Sequence, residues 1–158
     1  MATEGNNNLL QGIPSIEDAF VVIIKTEWNS DIVNELENGC LRVLNQAGIT
    51  YKVITVPGAV EIPFTINAYK KSTQPKCDAF ITLGAVIQGG TPHFDYVCKY
   101  ITEGIQQLNL MLDEPVIFGV LTLNNKQQAY ERIGGIHGHK GEEAAITALK
   151  MIEVSRSL

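Results

Sequence analysis

Phe20-Val21-Val22-Ile23-Ile24, leading through Lys25-Thr26-Glu27-Trp28-Asn29 into Ile32, Val33, Leu36, Cys40, Val43 and Leu44, is the stretch that decides the fold. Five consecutive apolar residues without alternation suit a strand covered on both faces. The apolar residues that follow recur at three- and four-residue steps, one stripe of a helix that opens near Ser30-Asp31 and ends at Gly48. The same cycle repeats outward along the chain. Tyr51 to Val56 reads as a second strand with a helix from Ile62 to Lys71. Ala79 to Ile87 reads as a third, with a helix from Phe94 to Met111. Val116 to Thr122 is the fourth, followed by a short helix from Lys126 to Ile133 and a long one from Gly141 to Ser155. The segment Gly134 to Gly141 between those two helices reads as a flexible connection. Four strands, each followed by a helix, predict parallel pairing through right-handed crossovers, hence a three-layer α/β/α sandwich on a four-stranded parallel sheet.

The composition fits one domain. A chain of 158 residues, 45% of them hydrophobic, buries enough surface to fold without a disulfide or metal staple. Residues 1–18 stand apart as an N-terminal arm: Asn6-Asn7-Asn8, Gly12 and Pro14 make a poor core, although Leu9-Leu10 could form a short strand against another surface. Residues 19–158 are then a single domain. With 12 Lys+Arg against 17 Asp+Glu and a net charge of -5, no basic field exists to draw nucleic-acid phosphates. The longest apolar run, Ala19 to Ile24, is far shorter than the ~20 residues of a membrane span. The first dozen residues lack a signal-peptide pattern. Cys40, Cys77 and Cys98 are odd in number and widely spaced, which excludes a fully paired disulfide framework and a CxxC zinc pattern. The expectation is a soluble cytoplasmic protein that binds neither nucleic acid nor membrane.

Ligands of an open parallel sheet bind beyond the carboxyl ends of its strands, so four loops matter. The first carries Trp28, the chain's one Trp, which is either packing or a flat platform for a planar ligand. The second is Pro57-Gly58-Ala59-Val60-Glu61-Ile62-Pro63, a tight turn with a small residue at Ala59. Glu61 there either complements a helix dipole or accepts hydrogen bonds from ligand hydroxyls. The third, Gly84 to Tyr96, is the most informative. Gly89-Gly90-Thr91 at a helix entrance offers free backbone N–H groups to an anion, but no Gly-Lys-Ser/Thr follows, so it is not a Walker loop. Pro92 suits the first helical position. His93 then lies in the first turn, where the dipole disfavours its protonated form and it can shuttle protons; the alternative is a capping or surface histidine. Phe118 lies about four residues before the end of its strand, ~13 Å from that strand's carboxyl edge, so it is either ordinary core or part of a neighbouring chain's pocket. Arg132 could fork onto phosphate or compensate a helix C-terminus. His137 and His139 lack a clear third ligand for a metal.

Taken in order, these segments resemble the lumazine synthase family. The stretches are Glu27-Trp28-Asn29, Val56-Pro57-Gly58-Ala59-Val60-Glu61-Ile62-Pro63, Leu83 to Tyr96 ending in Thr-Pro-His-Phe-Asp-Tyr, Phe118-Gly119-Val120-Leu121-Thr122, Gln128-Ala129-Tyr130-Glu131-Arg132, and His139-Lys140-Gly141-Glu142-Glu143-Ala144-Ala145. The resemblance runs from about residue 20 to the C-terminus. It implies a flavodoxin-like sheet and a transferase of riboflavin biosynthesis. Such an enzyme condenses 5-amino-6-(D-ribitylamino)uracil with 3,4-dihydroxy-2-butanone 4-phosphate to 6,7-dimethyl-8-ribityllumazine, releasing phosphate and water. No metal or organic cofactor is implied. Matched position by position, Trp28 stacks on the pyrimidine, with Asn29 beside it among the substrate-binding residues. Ala59, Val60 and Glu61 contact the ribityl-bearing substrate. Ala85, Val86 and Ile87 offer backbone groups to the uracil edge. Gly90, Thr91 and Arg132 bind phosphate, and His93 is the acid/base.

The family builds its site between subunits of a homopentamer, alone or assembled into a decamer or a sixty-subunit shell. Phe118, Arg132 and Lys140 then reach in from the neighbouring chain. This chain departs from the family pattern at three places. Gln88 sits where a basic residue is common, Trp28 replaces the frequent Phe, and His139 stands where Asn usually precedes the Lys-Gly pair. Two other readings remain open on sequence: a flavodoxin-like module that holds a flavin or phosphate without chemistry, and a shell or carrier protein that has kept assembly and lost catalysis.

Overall fold

A computed structural model describes residues 12–158; the expected Leu9-Leu10 strand and the Asn triplet lie outside them. The chain runs β1 (Phe20–Thr26), α1 (Ser30–Gln46), β2 (Thr50–Val56), α2 (Glu61–Lys71), β3 (Ala79–Ile87), α3 (His93–Met111), β4 (Val116–Leu123), α4 (Lys126–Arg132), β5 (Ile133–Gly135), β6 (Gly138–His139) and α5 (Lys140–Ser157). The four long strands form one sheet in the order β2-β1-β3-β4, and the pairings β1–β2, β1–β3 and β3–β4 are all parallel.

The unbroken apolar run of β1 has a direct physical reason. Val21 and Ile23 enter the core shared with α1 and α5, whereas Val22 and Ile24 enter the core shared with α2 and α3. Alternate side chains of a strand face opposite sides, so a strand between two helical layers has no solvent face. Each fully buried Val or Ile contributes roughly 1.5–3 kcal/mol. The α1 stripe is buried as expected at Ile32, Val33, Leu36, Cys40, Val43 and Leu44. Its end is a Schellman arrangement: Ile49 N–H donates to Leu44 O at 2.9 Å, Gly48 N–H donates to Asn45 O at 3.1 Å, and Gly48 takes φ 69°.

Two local expectations need correction. The segment after α4 is an antiparallel ribbon rather than a flexible connection, with Ile133 paired to His139 and Gly135 to Gly138. Ile133 therefore belongs to β5, not to the short helix. Gly134 (φ 113°) and Gly138 (φ 79°) supply backbone conformations that L side chains resist, which fold the ribbon tightly. Pro92 is the N-cap of α3, so His93 is the first helical residue.

Candidate active site

Strands β1 and β3 are neighbours, but the chain leaves β1 toward β2 on one side and β3 toward β4 on the other. The connections diverge there, and a crevice opens at the carboxyl edge. It is a cleft of about 380 Å³. Trp28 and Asn29 line it from the β1 loop, Gly58, Ala59, Val60 and Glu61 from the β2 loop, Ala85, Val86 and Ile87 from the end of β3, and His93 from α3. Ten residues drawn from two loops, a strand end and a helix start thus converge on one space.

The walls are tied together by hydrogen bonds. Glu27 N–H donates to Val56 O at 2.8 Å, and Trp28 N–H donates to Pro57 O at 3.2 Å. These extend the β1–β2 ladder past the strands and fix the first loop to the second. Asn29 adopts φ 58°, a left-handed conformation that Asn tolerates better than most residues. Its side-chain nitrogen donates to Ala85 O at 2.8 Å, bridging to β3. Asn29 is therefore a strut as well as a lining residue.

Trp28 and Glu61 meet at Gly58. The Gly58 N–H donates to Glu61 Oε2 at 3.0 Å. A Cβ at Gly58 would lie 2.8 Å from Cε3 and Cζ3 of Trp28 and 3.1 Å from Glu61 Oε2. The indole thus rests on a bare backbone while 67% of Trp28 stays exposed. The ring is therefore packed against Gly58 yet largely open to solvent.

His93 is exposed on the cleft rim at the N-terminus of α3. Gly89 and Gly90, just upstream, have open space where a side chain would stand. The N–H groups of Gly89, Gly90 and Thr91 have no backbone acceptor among the described residues. Gly90 and Thr91 themselves are not among the residues that line the cleft with His93.

Phe118, Arg132 and Lys140 do not join this cleft within the chain. Phe118 lies on the edge strand β4, half-buried against the α2/α3 core. Arg132 and Lys140 line a second cleft of about 360 Å³ with Thr122, Gln128 and His137. There Arg132 donates to both oxygens of Glu143, at 3.0 and 2.8 Å, and to the carbonyl of His137. Lys140 Nζ stands 3.7 Å from the same carboxylate. Sequence reading missed Glu143, although its i,i+3 spacing from Lys140 on a helix was a usable sign. It also missed Phe94 and Val97, which line the main cleft from one face of α3.

The remaining reactive groups lie elsewhere. His137 faces Glu131 at 3.9 Å, whereas His139 is only 8% exposed and turned against Gly39 of α1. Burial lowers the His139 pKa, assisted by Arg42 and opposed by Glu142 and Glu35. Burial, with Glu37 nearby, pushes the Cys40 thiol up to about 12. Cys77 likewise rises to about 12, chiefly through burial with Glu114 next. Such thiols stay protonated and are poor nucleophiles.

A doubly wound sheet with an indole, a carboxylate and an imidazole around its switch-point crevice places the chain among flavodoxin-like α/β proteins. The sequence matches the family described as 6,7-dimethyl-8-ribityllumazine synthase over residues 18–156. The protein of that name from Parabacteroides distasonis is 42% identical over 146 residues, covering 90% of each chain. Its counterpart from Cytophaga hutchinsonii is 46% identical over 143 residues, covering 89% of each. That from Flavobacterium johnsoniae is 45% identical over 158 residues, covering 96% of this chain and 82% of its own. The chain belongs to the 6,7-dimethyl-8-ribityllumazine synthase family, transferases of riboflavin biosynthesis. No helix among the described residues is long and apolar enough to cross a membrane.

Proposed function

We propose that the cleft between Trp28 and His93 is where this chain condenses 5-amino-6-(D-ribitylamino)uracil with 3,4-dihydroxy-2-butanone 4-phosphate to 6,7-dimethyl-8-ribityllumazine. The amine adds to the ketone and a first water leaves as the imine forms. The C–O bond to phosphate breaks by elimination, and the second nitrogen adds to the remaining carbonyl and expels a second water as the ring closes. Each step moves protons, and His93 takes and returns them, a role worth typically 10²–10⁴-fold in rate. Trp28 and Asn29 hold the pyrimidine, with Ala85, Val86 and Ile87 offering backbone groups to its edge. Ala59, Val60 and Glu61 receive the ribityl chain, where Glu61 keeps one oxygen on Gly58 N–H and turns the other to sugar hydroxyls. Gly90 and Thr91 cradle the phosphate at the α3 N-terminus. Holding two substrates in register contributes several kcal/mol more, about the lower end of what good orientation supplies.

The observation that carries this reading is that His93 and Trp28 line the same cleft. Proton transfer and ring stacking therefore act on one bound molecule. An absorbance assay for lumazine formation from both substrates tests it. Product formation is expected; tight flavin binding without turnover would favour a flavin-holding module instead.

The working unit is a homopentamer in which Phe118, Arg132 and Lys140 of one subunit complete the cleft of the next. In support, all three stand outside the His93 cleft of their own chain, and Arg132 and Lys140 line a separate open cleft while partly buried against Glu143. Light scattering separates a pentamer from a decamer or a sixty-subunit shell. Residues 19–158 are the catalytic domain, a division supported by the family match beginning at residue 18; most of the N-terminal arm expected at 1–18 lies outside the described residues. The enzyme works in the cytoplasm, where its three free cysteines are in keeping with a reducing compartment.

A further inference from the structure

We propose that His139 is a positioning residue: its imidazole, seated against Gly39 of α1, anchors the β5–β6 ribbon and so sets the spacing of Arg132 and Lys140. The inference rests on the proposed reading in that those two cations meet the substrate. Ile133 and His139 are register partners. Arg132 immediately precedes the first and Lys140 immediately follows the second, so the base of the ribbon carries both cations side by side. Both address the one carboxylate of Glu143.

The base of the ribbon is keyed into α1 at two points. The His139 ring occupies the space a side chain at Gly39 would need, since a Cβ there would overlap the imidazole. Two residues on, a Cβ at Gly141 would run into the backbone carbonyl of Leu36. One of the two ring nitrogens gains nothing from this seat. His139 Nδ1 is buried without a hydrogen-bond partner, a cost that shape complementarity must offset. A buried ring seated on α1, opposite Ile133 and immediately before Lys140, is a wedge that fixes geometry. No other side chain of the ribbon is buried as deeply.

The test uses the full-length enzyme. His139→Ala and His139→Asn are measured beside the double variant Gly39→Ala/His139→Ala, whose added methyl refills part of the vacated space, and beside Arg132→Ala. Amide hydrogen exchange in residues 133–139 should quicken about tenfold or more in His139→Ala, with β1, β3 and β4 unchanged. The KM for the butanone phosphate should rise about tenfold while that for the pyrimidine stays within about twofold. Both effects should shrink in His139→Asn and in the double variant. Unchanged exchange in the ribbon, or a refilled seat that restores nothing, overturns the proposal. If Arg132→Ala raises the KM for the phosphate substrate and His139→Ala does not, the proposal fails and the reading of Arg132 stands. If exchange quickens in His139→Ala but Arg132→Ala leaves both KM values unchanged, the anchor stands and the reading of Arg132 fails. Should His139→Ala not fold, His139→Asn carries the same comparison.

Discussion

The side-chain nitrogen of Asn29 donates to the carbonyl oxygen of Ala85 at 2.8 Å, so the loop after β1 and the end of β3 form one continuous wall of the cleft. Asn29 also holds φ 58°. Asn29→Ala removes the bond and puts a less tolerant residue in a left-handed conformation. Together these should cost about 2 kcal/mol, and Asn29→Gly, which relieves the backbone, should cost only about 1 kcal/mol through the bond. Thermal melting of the two variants tests the split. Equal melting points would mean that the backbone conformation carries no strain.

Gly58 is the seat of Trp28. A methyl at this position would stand 2.8 Å from the indole, and the ring is exposed enough to swing away. Gly58→Ala should therefore unseat the platform rather than unfold the chain. Because the chain has one Trp, its fluorescence reports the event directly, as a shifted emission maximum. The KM for the pyrimidine substrate should rise with kcat less affected. An unaltered emission spectrum with an unaltered KM would show that the ring does not depend on this glycine.

Stability should also fall on the acid side through His139. Burial holds its pKa below the ordinary 6.5, so below that pH the unfolded chain takes up a proton that the folded chain resists. Stability then rises with pH in this window. The contribution is complete above about pH 6.5 and is lost as pH falls from there toward the folded-state value. Arg42 works in the same direction, and Glu142 and Glu35 soften it. His139→Asn should lose less melting temperature than the parent between about pH 7.5 and about pH 5.5. Parallel losses in the two proteins would assign the acid sensitivity to other groups.

The sheet was legible because its signals are local and redundant. Phe20 to Ile24 has no polar residue to offer a solvent face, and the Ile32-to-Leu44 stripe admits only one helical period. The cleft residues were legible for a different reason: the carboxyl ends of parallel strands must converge, so Trp28, Glu61, Ala85 and His93 fall together once the strand order is known. What escaped was long-range pairing. Nothing in Gly134 to Gly138 distinguishes a loose linker from a tight ribbon until Ile133 finds His139. Likewise, the fit of His139 against Gly39 links positions one hundred residues apart in the chain, and no periodicity encodes it. Arg132 shows the same limit: its type suggested phosphate, but its grip on Glu143 appears only when α5 folds back onto the ribbon.

The central claim is that His93 moves protons for a substrate held beneath Trp28, and it is tested most directly by His93→Ala. Turnover is followed by the absorbance of the lumazine product, and binding of the ribitylaminouracil by Trp28 fluorescence. The account predicts that kcat falls by about 10²-fold or more while the pyrimidine dissociation constant stays within about threefold. Product formation at the parent's rate in His93→Ala would contradict it.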